Sequence, residues 1–313
     1  MTVDIPKLES KPLWSATPTP LTEDMEIDGR AVQRLVEHHI KLGITGLFLL
    51  GTCGEGPWMP DRLRWELVKQ VVDYNDGRLM IAVQVTDNSA ARILENIEIV
   101  AEEGGDLAVV AAPYFVLGSS PARIEKLYQE VVEESPLPIG IYDRGEHAPT
   151  PVPLEVLDKI VTDEKVIVVK DSSTDAARQA KYLAVRQTRD NLRLLNGNEW
   201  DCVSYLQAGY DGLLLGGGIF NGYIARQIME AVAAGNLDQA HQLQDRMKEM
   251  MWAVYGGKDI TCWMSGLKHL LVKMEIFSTT NRFLDYPLTD ECRRDIDRAL
   301  QQYRDILFPG EGN

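Results

Sequence analysis

Cysteine is scarce in this chain and poorly placed for bonding. Cys53, Cys202, Cys262 and Cys292 are scattered over 313 residues, with no CxxC pair and no histidine at ligand spacing. That pattern argues against a disulfide-stapled scaffold and a zinc ribbon, and the reduced thiols of a cytoplasmic protein are expected. Long apolar runs are absent too. None approaches the roughly 20 residues needed to cross a bilayer. Residues 1–11 carry Asp4 and Glu9 and no apolar stretch, so no secretory leader is expected. Positive charge is in short supply: 32 Lys and Arg face 47 Asp and Glu, a formal net charge of −15. Nucleic acid and anionic membrane, both rich in phosphate, are therefore disfavoured as partners. No GxGxxG follows the first apolar run and no GxSxG elbow occurs, which weakens dinucleotide-binding and hydrolase readings.

What is present is an alternation. Hydrophobic residues make up 45% of the chain, enough for a sizeable core. Short apolar runs at 13–17, 46–50, 79–85, 107–112, 138–142, 166–170, 193–196 and 212–215 read as strands. Stretches of helical period lie between and after them, at 31–42, 61–74, 90–103, 122–134, 154–161, 176–186, 201–208 and 222–234. Strands so nearly uninterrupted in apolar character belong to a parallel sheet covered on both faces. Eight strand–helix units close most naturally into an α/β fold, a (β/α)8 TIM barrel over residues 1–235. A doubly wound open sheet carries the same local signal. From 236 to 313 no further strand is visible. Segments at 237–255, 260–276 and 289–307 read as a C-terminal helical extension, packed on the barrel or on a neighbouring subunit, with a frayed tail at 309–313.

In such a barrel, chemistry gathers at the C-terminal strand ends. Lys170 closes the run Val166-Ile167-Val168-Val169 and is followed by Asp171-Ser172-Ser173. Stripping water from an ammonium favours the neutral amine, and a neutral amine can attack a ketone to give a Schiff base. On position alone, a lysine snorkelling its charge to solvent is the commoner case. After the second run, Gly51-Thr52-Cys53-Gly54-Glu55-Gly56 joins a tight turn to side-chain and backbone donors ahead of a helix. It would suit a carboxylate, or serve as a plain connector. Tyr114 and Phe115 follow the fourth run, and Tyr142, Arg144 and His147 sit at or beyond the end of the fifth. A phenol near a lysine can shuttle protons, and Arg144 or His147 could hold an acidic group, although a strand-end tyrosine is more often a packing residue. Glycines at 197 and 216–218 bring bare backbone close to a ligand or to a helix. His38 and His39 point about 100° apart on a helix and are expected at its surface. Asp171 is expected in a helix cap or a surface turn.

In their order and spacing, these segments resemble the dihydrodipicolinate synthase / N-acetylneuraminate lyase family. The resemblance rests on the loop from Gly51 to Glu55, on Tyr142 and Lys170, on Asn196-Gly197, and on Ala208-Gly209-Tyr210-Asp211-Gly212. It implies a class I lyase or synthase that needs no metal and no cofactor, usually a homotetramer, whose Lys170 forms an imine with pyruvate or another 2-oxo acid. By the same resemblance, Gly51, Thr52 and Cys53 hold the carboxylate and Tyr142 moves the proton. Ser172, Gly197, Gly218 and Ile219 line the pocket, and Glu199 lies near substrate hydroxyls. Three departures stand out. Cys53 replaces a second hydroxyl, and Phe115 replaces a second tyrosine, with Tyr114 beside it. His147 stands roughly where synthases place an arginine for the second substrate, Arg144 being too early in the chain. The expectation is therefore retained imine chemistry on a second substrate other than aspartate semialdehyde, with the synthase proper as the alternative. Trp58 and Trp200 could form part of the pocket wall.

Two rivals compete. In a metal-dependent aldolase, Glu55, Asp143, Asp171 and Glu199 would supply oxygen ligands to Mg²⁺. In a non-catalytic 2-oxo acid binder, Cys53 and Phe115 would mark decay, against the retained Lys170 and Tyr142.

Overall fold

The computed structural model describes residues 8–115 and 120–310. The first residues of the stretch read for a leader, and the end of the 309–313 tail, lie outside them. Eight strands close into a barrel in chain order, every pairing parallel. They are β1 Leu13–Ala16, β2 Gly46–Leu49, β3 Met80–Gln84, β4 Leu107–Ala111, β5 Ile139–Asp143, β6 Val166–Asp171, β7 Arg193–Asn196 and β8 Gly212–Leu215. The helices between them are α1 Gly29–Lys41, α2 Asp61–Asn75, α3 Ala90–Glu102, α4 Pro121–Glu134, α5 Leu154–Val161, α6 Ala176–Arg186 and α7 Cys202–Ala208. α8 Gly218–Ala233 completes the ring. The (β/α)8 expectation holds. Each strand is buried along nearly its whole length because helices cover the outside and side chains fill the inside. Helix starts are set by side chains that accept orphan amides: Asp28 for α1, Ser89 for α3, Ser120 for α4 and Asp175 for α6.

Beyond the barrel lie α9 Leu237–Tyr255, α10 Trp263–Lys273, α11 Asp290–Gln302 and α12 Arg304–Leu307. α9 lies along α8, and α10 and α11 pack on α9, so the extension rests on its own barrel. The segment read as 260–276 is shorter because Ile260 and Glu275 adopt left-handed φ values of 54° and 60°. The segment read as 289–307 is two helices, broken at Tyr303, whose φ of −115° leaves the helical range. Among the described residues, no helix is long and apolar enough to cross a membrane. All four cysteines are buried and unbonded to one another.

Two expectations are corrected here. α8 begins at Gly218, before the residue 222 read from the pattern, because the glycine run opens the helix against β1: a Cβ on Gly218 would lie 2.7 Å from the Ser15 side chain. His39 is wholly buried, not at a helix surface. Its ring nitrogens lie 2.8 Å from the Leu35 carbonyl and 2.9 Å from the Ser15 hydroxyl. His38 is half-buried, with Nε2 2.8 Å from the Ile219 carbonyl. Burial holds the His39 pKa down at about 3 and that of His38 at about 4, against an ordinary 6.5.

The unfolded chain protonates both rings as pH falls through 6.5, while the folded chain resists until about 4 and about 3. Stability present above pH 6.5 is therefore lost as pH falls through that window. His39→Gln, which keeps a partner for Ser15, should remove about one proton from that dependence, about 1.4 kcal/mol per pH unit. Urea unfolding at a series of acidic pH values measures the slope, and an unchanged slope would contradict a buried neutral His39.

Candidate active site

β5 and β6 start in register with Ile139 opposite Val166, but the next pair is Gly140 and Val168. The extra residue, Ile167, is a bulge in β6, and it changes every later pairing. Tyr142 now stands opposite Lys170, and Asp143 opposite Asp171. Partners on neighbouring parallel strands point to the same side, so Tyr142 and Lys170 share one environment. The Lys170 Nζ lies 4.3 Å from the centroid of the Tyr142 ring and 4.8 Å from that of Phe48 on β2. The two rings meet edge to face at 5.8 Å. Lys170 is only 6% exposed, so it does not carry its charge out to solvent as a strand-end lysine commonly does.

Burial alone would raise the Tyr142 pKa. Lys170, Arg144 and hydrogen bonding with Thr52 and Ser172 outweigh it and hold the phenol below its ordinary value. The Cys53 thiol, 3% exposed, donates to the Gly216 carbonyl at 3.4 Å. Burial, reinforced by Glu199, pushes its pKa up to about 12, so it is a neutral hydrogen-bonding group and a poor nucleophile. Glu199 is buried at the end of β7 and accepts from Gly217 N at 2.7 Å, Tyr255 Oη at 3.2 Å and Asn221 Nδ2 at 3.4 Å. Burial raises its pKa despite these donors and the nearby Lys170.

The residue after each central side chain is an anchor. Asp143 is gripped from α6 by Arg178 Nη1 at 2.9 Å and Tyr182 Oη at 2.5 Å, and it accepts from Gly145 N at 2.9 Å. Asp171 was expected in a helix cap or a surface turn. It is instead wholly buried, accepting from Tyr210 Oη at 2.5 Å and from Ser173 N and Oγ at 2.9 and 2.7 Å. The tie to Tyr210 uses the loop before β8, which local pattern does not reveal. Glu55 is paired with Lys268. The four carboxylates of the metal-aldolase reading therefore do not converge. Each is engaged by its own partners, and among the described residues no three His, Cys, Asp or Glu side chains gather as metal ligands would.

The Gly51 to Gly56 loop folds back on the end of β2. Leu50 has a left-handed φ of 58°, rare for a residue with a side chain, and a Cβ on Gly56 would come within 2.1 Å of the Leu50 carbonyl. On the far side, Gly197 approaches the centre so closely that a Cβ there would lie 2.0 Å from Ser172 Oγ and 3.2 Å from Lys170 Cε. Thr52, Ser172, Gly197 and Tyr142 thus gather around Lys170, with Cys53 and Glu199 behind them.

The Dihydrodipicolinate synthetase family model matches residues 9–303. The chain belongs to this family. By that membership it is a lyase. A 4-hydroxy-tetrahydrodipicolinate synthase of Pelodictyon phaeoclathratiforme is 24% identical over 284 residues, 90% of this chain and 94% of the relative. One from Cutibacterium acnes is 26% identical over 261 residues, 82% and 86% of the two chains. A dihydrodipicolinate synthase structure from Bacteroides thetaiotaomicron superposes with a TM-score of 0.85 at 24% identity, covering 96% of this chain and 100% of that one. An N-acetylneuraminate lyase structure from Fusobacterium nucleatum gives 0.79 at 19% identity, covering 95% and 99%. At such identities the structures speak for the fold alone.

The remaining candidates are carried by the surrounding loops and helices. Tyr114 hydrogen-bonds to Gln84 in a side cleft of about 220 Å³ shared with Leu50, Arg64 and Arg92. Phe115 is 67% exposed. Arg144 is half-buried near Tyr142, while His147 is exposed, 3.4 Å from Thr174 Oγ1. Gly218 and Ile219 open α8 beside β1 and α1. Trp200 stacks on Trp252, and Trp58 is half exposed. Sequence reasoning missed Phe48, Asn221, Tyr255 and Lys268, which reach the site from other elements and carry no local motif.

Gly197→Ala should displace Ser172 and Lys170 and cut turnover by about 10²-fold, the scale of a 1 Å misplacement. Melting temperature should change little. Steady-state rates and thermal melts check this, and full activity in the variant would contradict the crowding.

Proposed function

We propose that the chain is a class I lyase in which Lys170 forms an imine with pyruvate or a pyruvate-derived 2-oxo acid. The observation that carries this reading is the Lys170 amine, buried 4.3 Å from the Tyr142 ring centroid at the paired ends of β5 and β6. The amine attacks the ketone carbon, the carbinolamine loses water, and a protonated imine results. That imine is an electron sink: loss of a proton from C3, or cleavage of the C3–C4 bond, leaves an enamine. Tyr142, its pKa held down by Lys170 and Arg144 against burial, is the proton carrier. The Thr52 hydroxyl and the backbone amides of the Thr52–Cys53 loop receive the carboxylate, the Cys53 thiol being a neutral group that donates to the Gly216 carbonyl. The substrate is a small molecule, and assembly as a homo-oligomer in the cytoplasm belongs to the same reading.

The second substrate is proposed to differ from aspartate semialdehyde. Phe115 cannot carry a proton, and the Tyr114 hydroxyl is engaged by Gln84 beside a cleft lined by Leu50, Arg64 and Arg92. Condensation, cleavage and dehydration share the one imine; in a panel of 2-oxo sugar acids, pyruvate release reports cleavage and substrate loss without pyruvate reports dehydration.

Borohydride reduction in the presence of pyruvate, read by peptide mass spectrometry, tests the proposal. The adduct is expected on Lys170 and absent from Lys170→Met. An unmodified Lys170 under conditions that label a family control would sink the reading for pyruvate. Tyr142→Phe should still be trapped on Lys170, while turnover of the substrate found in the panel falls about 10²–10⁴-fold, the usual worth of a positioned acid–base group.

A further inference from the structure

The loop assigned to the carboxylate is held from outside the barrel. Glu55 has a left-handed φ of 58° and is wholly buried. Lys268 of α10, also wholly buried, donates to Glu55 Oε2 at 2.8 Å and to the Asn281 carbonyl at 2.7 Å. The other carboxylate oxygen, Oε1, accepts from the backbone amides of Phe283 and Leu284, both at 3.1 Å. The same segment is tied to the loop after β1: Asn281 Nδ2 donates to the Thr22 carbonyl at 2.8 Å, and Thr279 Oγ1 to the Leu21 carbonyl at 2.7 Å. Thr19 Oγ1 closes the circuit by donating to the Gly54 carbonyl at 2.7 Å. Two barrel loops and the segment after α10 form one bonded body.

A buried ion pair is a weak source of stability, because desolvating both charges offsets most of their attraction. Its distinguishing effect is directional: with both carboxylate oxygens held by three donors, Glu55 has one permitted placement, and Gly54 and Gly56 follow it. We propose that the Glu55–Lys268 pair is a positioning device through which the C-terminal helices set the carboxylate-binding loop. The inference rests on the imine-forming reading for its substrate, and neither residue touches the reacting atoms.

The test compares wild type with Lys268→Met and with the double variant Glu55→Gln/Lys268→Met. The single change leaves Glu55 charged and alone in the interior. If that chain fails to fold, the double variant, which removes both charges together, carries the test. Two quantities are read: the pyruvate dependence of borohydride trapping on Lys170, and hydrogen exchange of the amides at 51–57. Half-saturating pyruvate should rise about tenfold, roughly the worth of one hydrogen bond. The maximal trapping rate should stay within about threefold, since the amine itself is untouched. Loop amides should exchange faster in the folded variants. Unchanged half-saturation with unchanged exchange in a folded double variant would overturn the proposal, as would an equal loss in both kinetic parameters. A wild type that forms no adduct defeats the imine reading instead. The exchange readout then still decides the coupling, faster exchange supporting it and unchanged exchange overturning it.

Discussion

A single bulge in β6 decides which side chains meet. Side chains alternate along a strand, so one extra residue reverses the face presented by everything beyond it. Had the pairing of Ile139 with Val166 run on unshifted, Lys170 would have stood opposite Asp143 and Tyr142 opposite Val169. With Ile167 bulged out, Tyr142 and Lys170 are partners and the two aspartates fall opposite each other. Gly140, on the facing strand, sits at the shift itself. The ammonium then lies against two aromatic rings, while the carboxylates are left to anchor the strand ends.

Those anchors explain how a lysine can be held in a largely apolar mouth without drifting. Asp143 binds α6 through Arg178 and Tyr182, and Asp171 binds the segment before β8 through Tyr210. Each strand end is therefore fixed to an element that follows it in the chain, and the side chain just before the anchor inherits that position. Breaking the buried Asp143–Arg178 ion pair by removing the arginine costs about 3–5 kcal/mol because a charge is left without a partner. Glu55 and Glu199 repeat the device with partners from the C-terminal helices, Lys268 on α10 and Tyr255 on α9. The extension thus closes one side of the mouth.

What was legible in the chain was what depends on neighbours in sequence. The apolar runs marked all eight strands, and the ordered loop, tyrosine and lysine marked the centre, because burial and turn chemistry write themselves locally. Asp143 and Asp171 read as surface or ligand groups because their partners lie dozens of residues away. His39 was misplaced because a histidine within helical period looks polar until Ser15 arrives beneath it. The contact that makes a glycine necessary at 218 was hidden for a similar reason: it comes from Ser15 on β1. The bulge at Ile167 left no trace in a uniformly β-branched run. Lys268, 213 residues from Glu55, could not have been paired with it from pattern alone.

The central claim is that Lys170 becomes covalently bonded to a 2-oxo acid beside Tyr142. A crystal structure of the protein soaked with pyruvate tests this most directly. The account predicts continuous density from Lys170 Nζ to the pyruvate C2, with the carboxylate against Thr52 and Cys53. Pyruvate bound without a bond to Lys170, or bound covalently at another lysine, would contradict it.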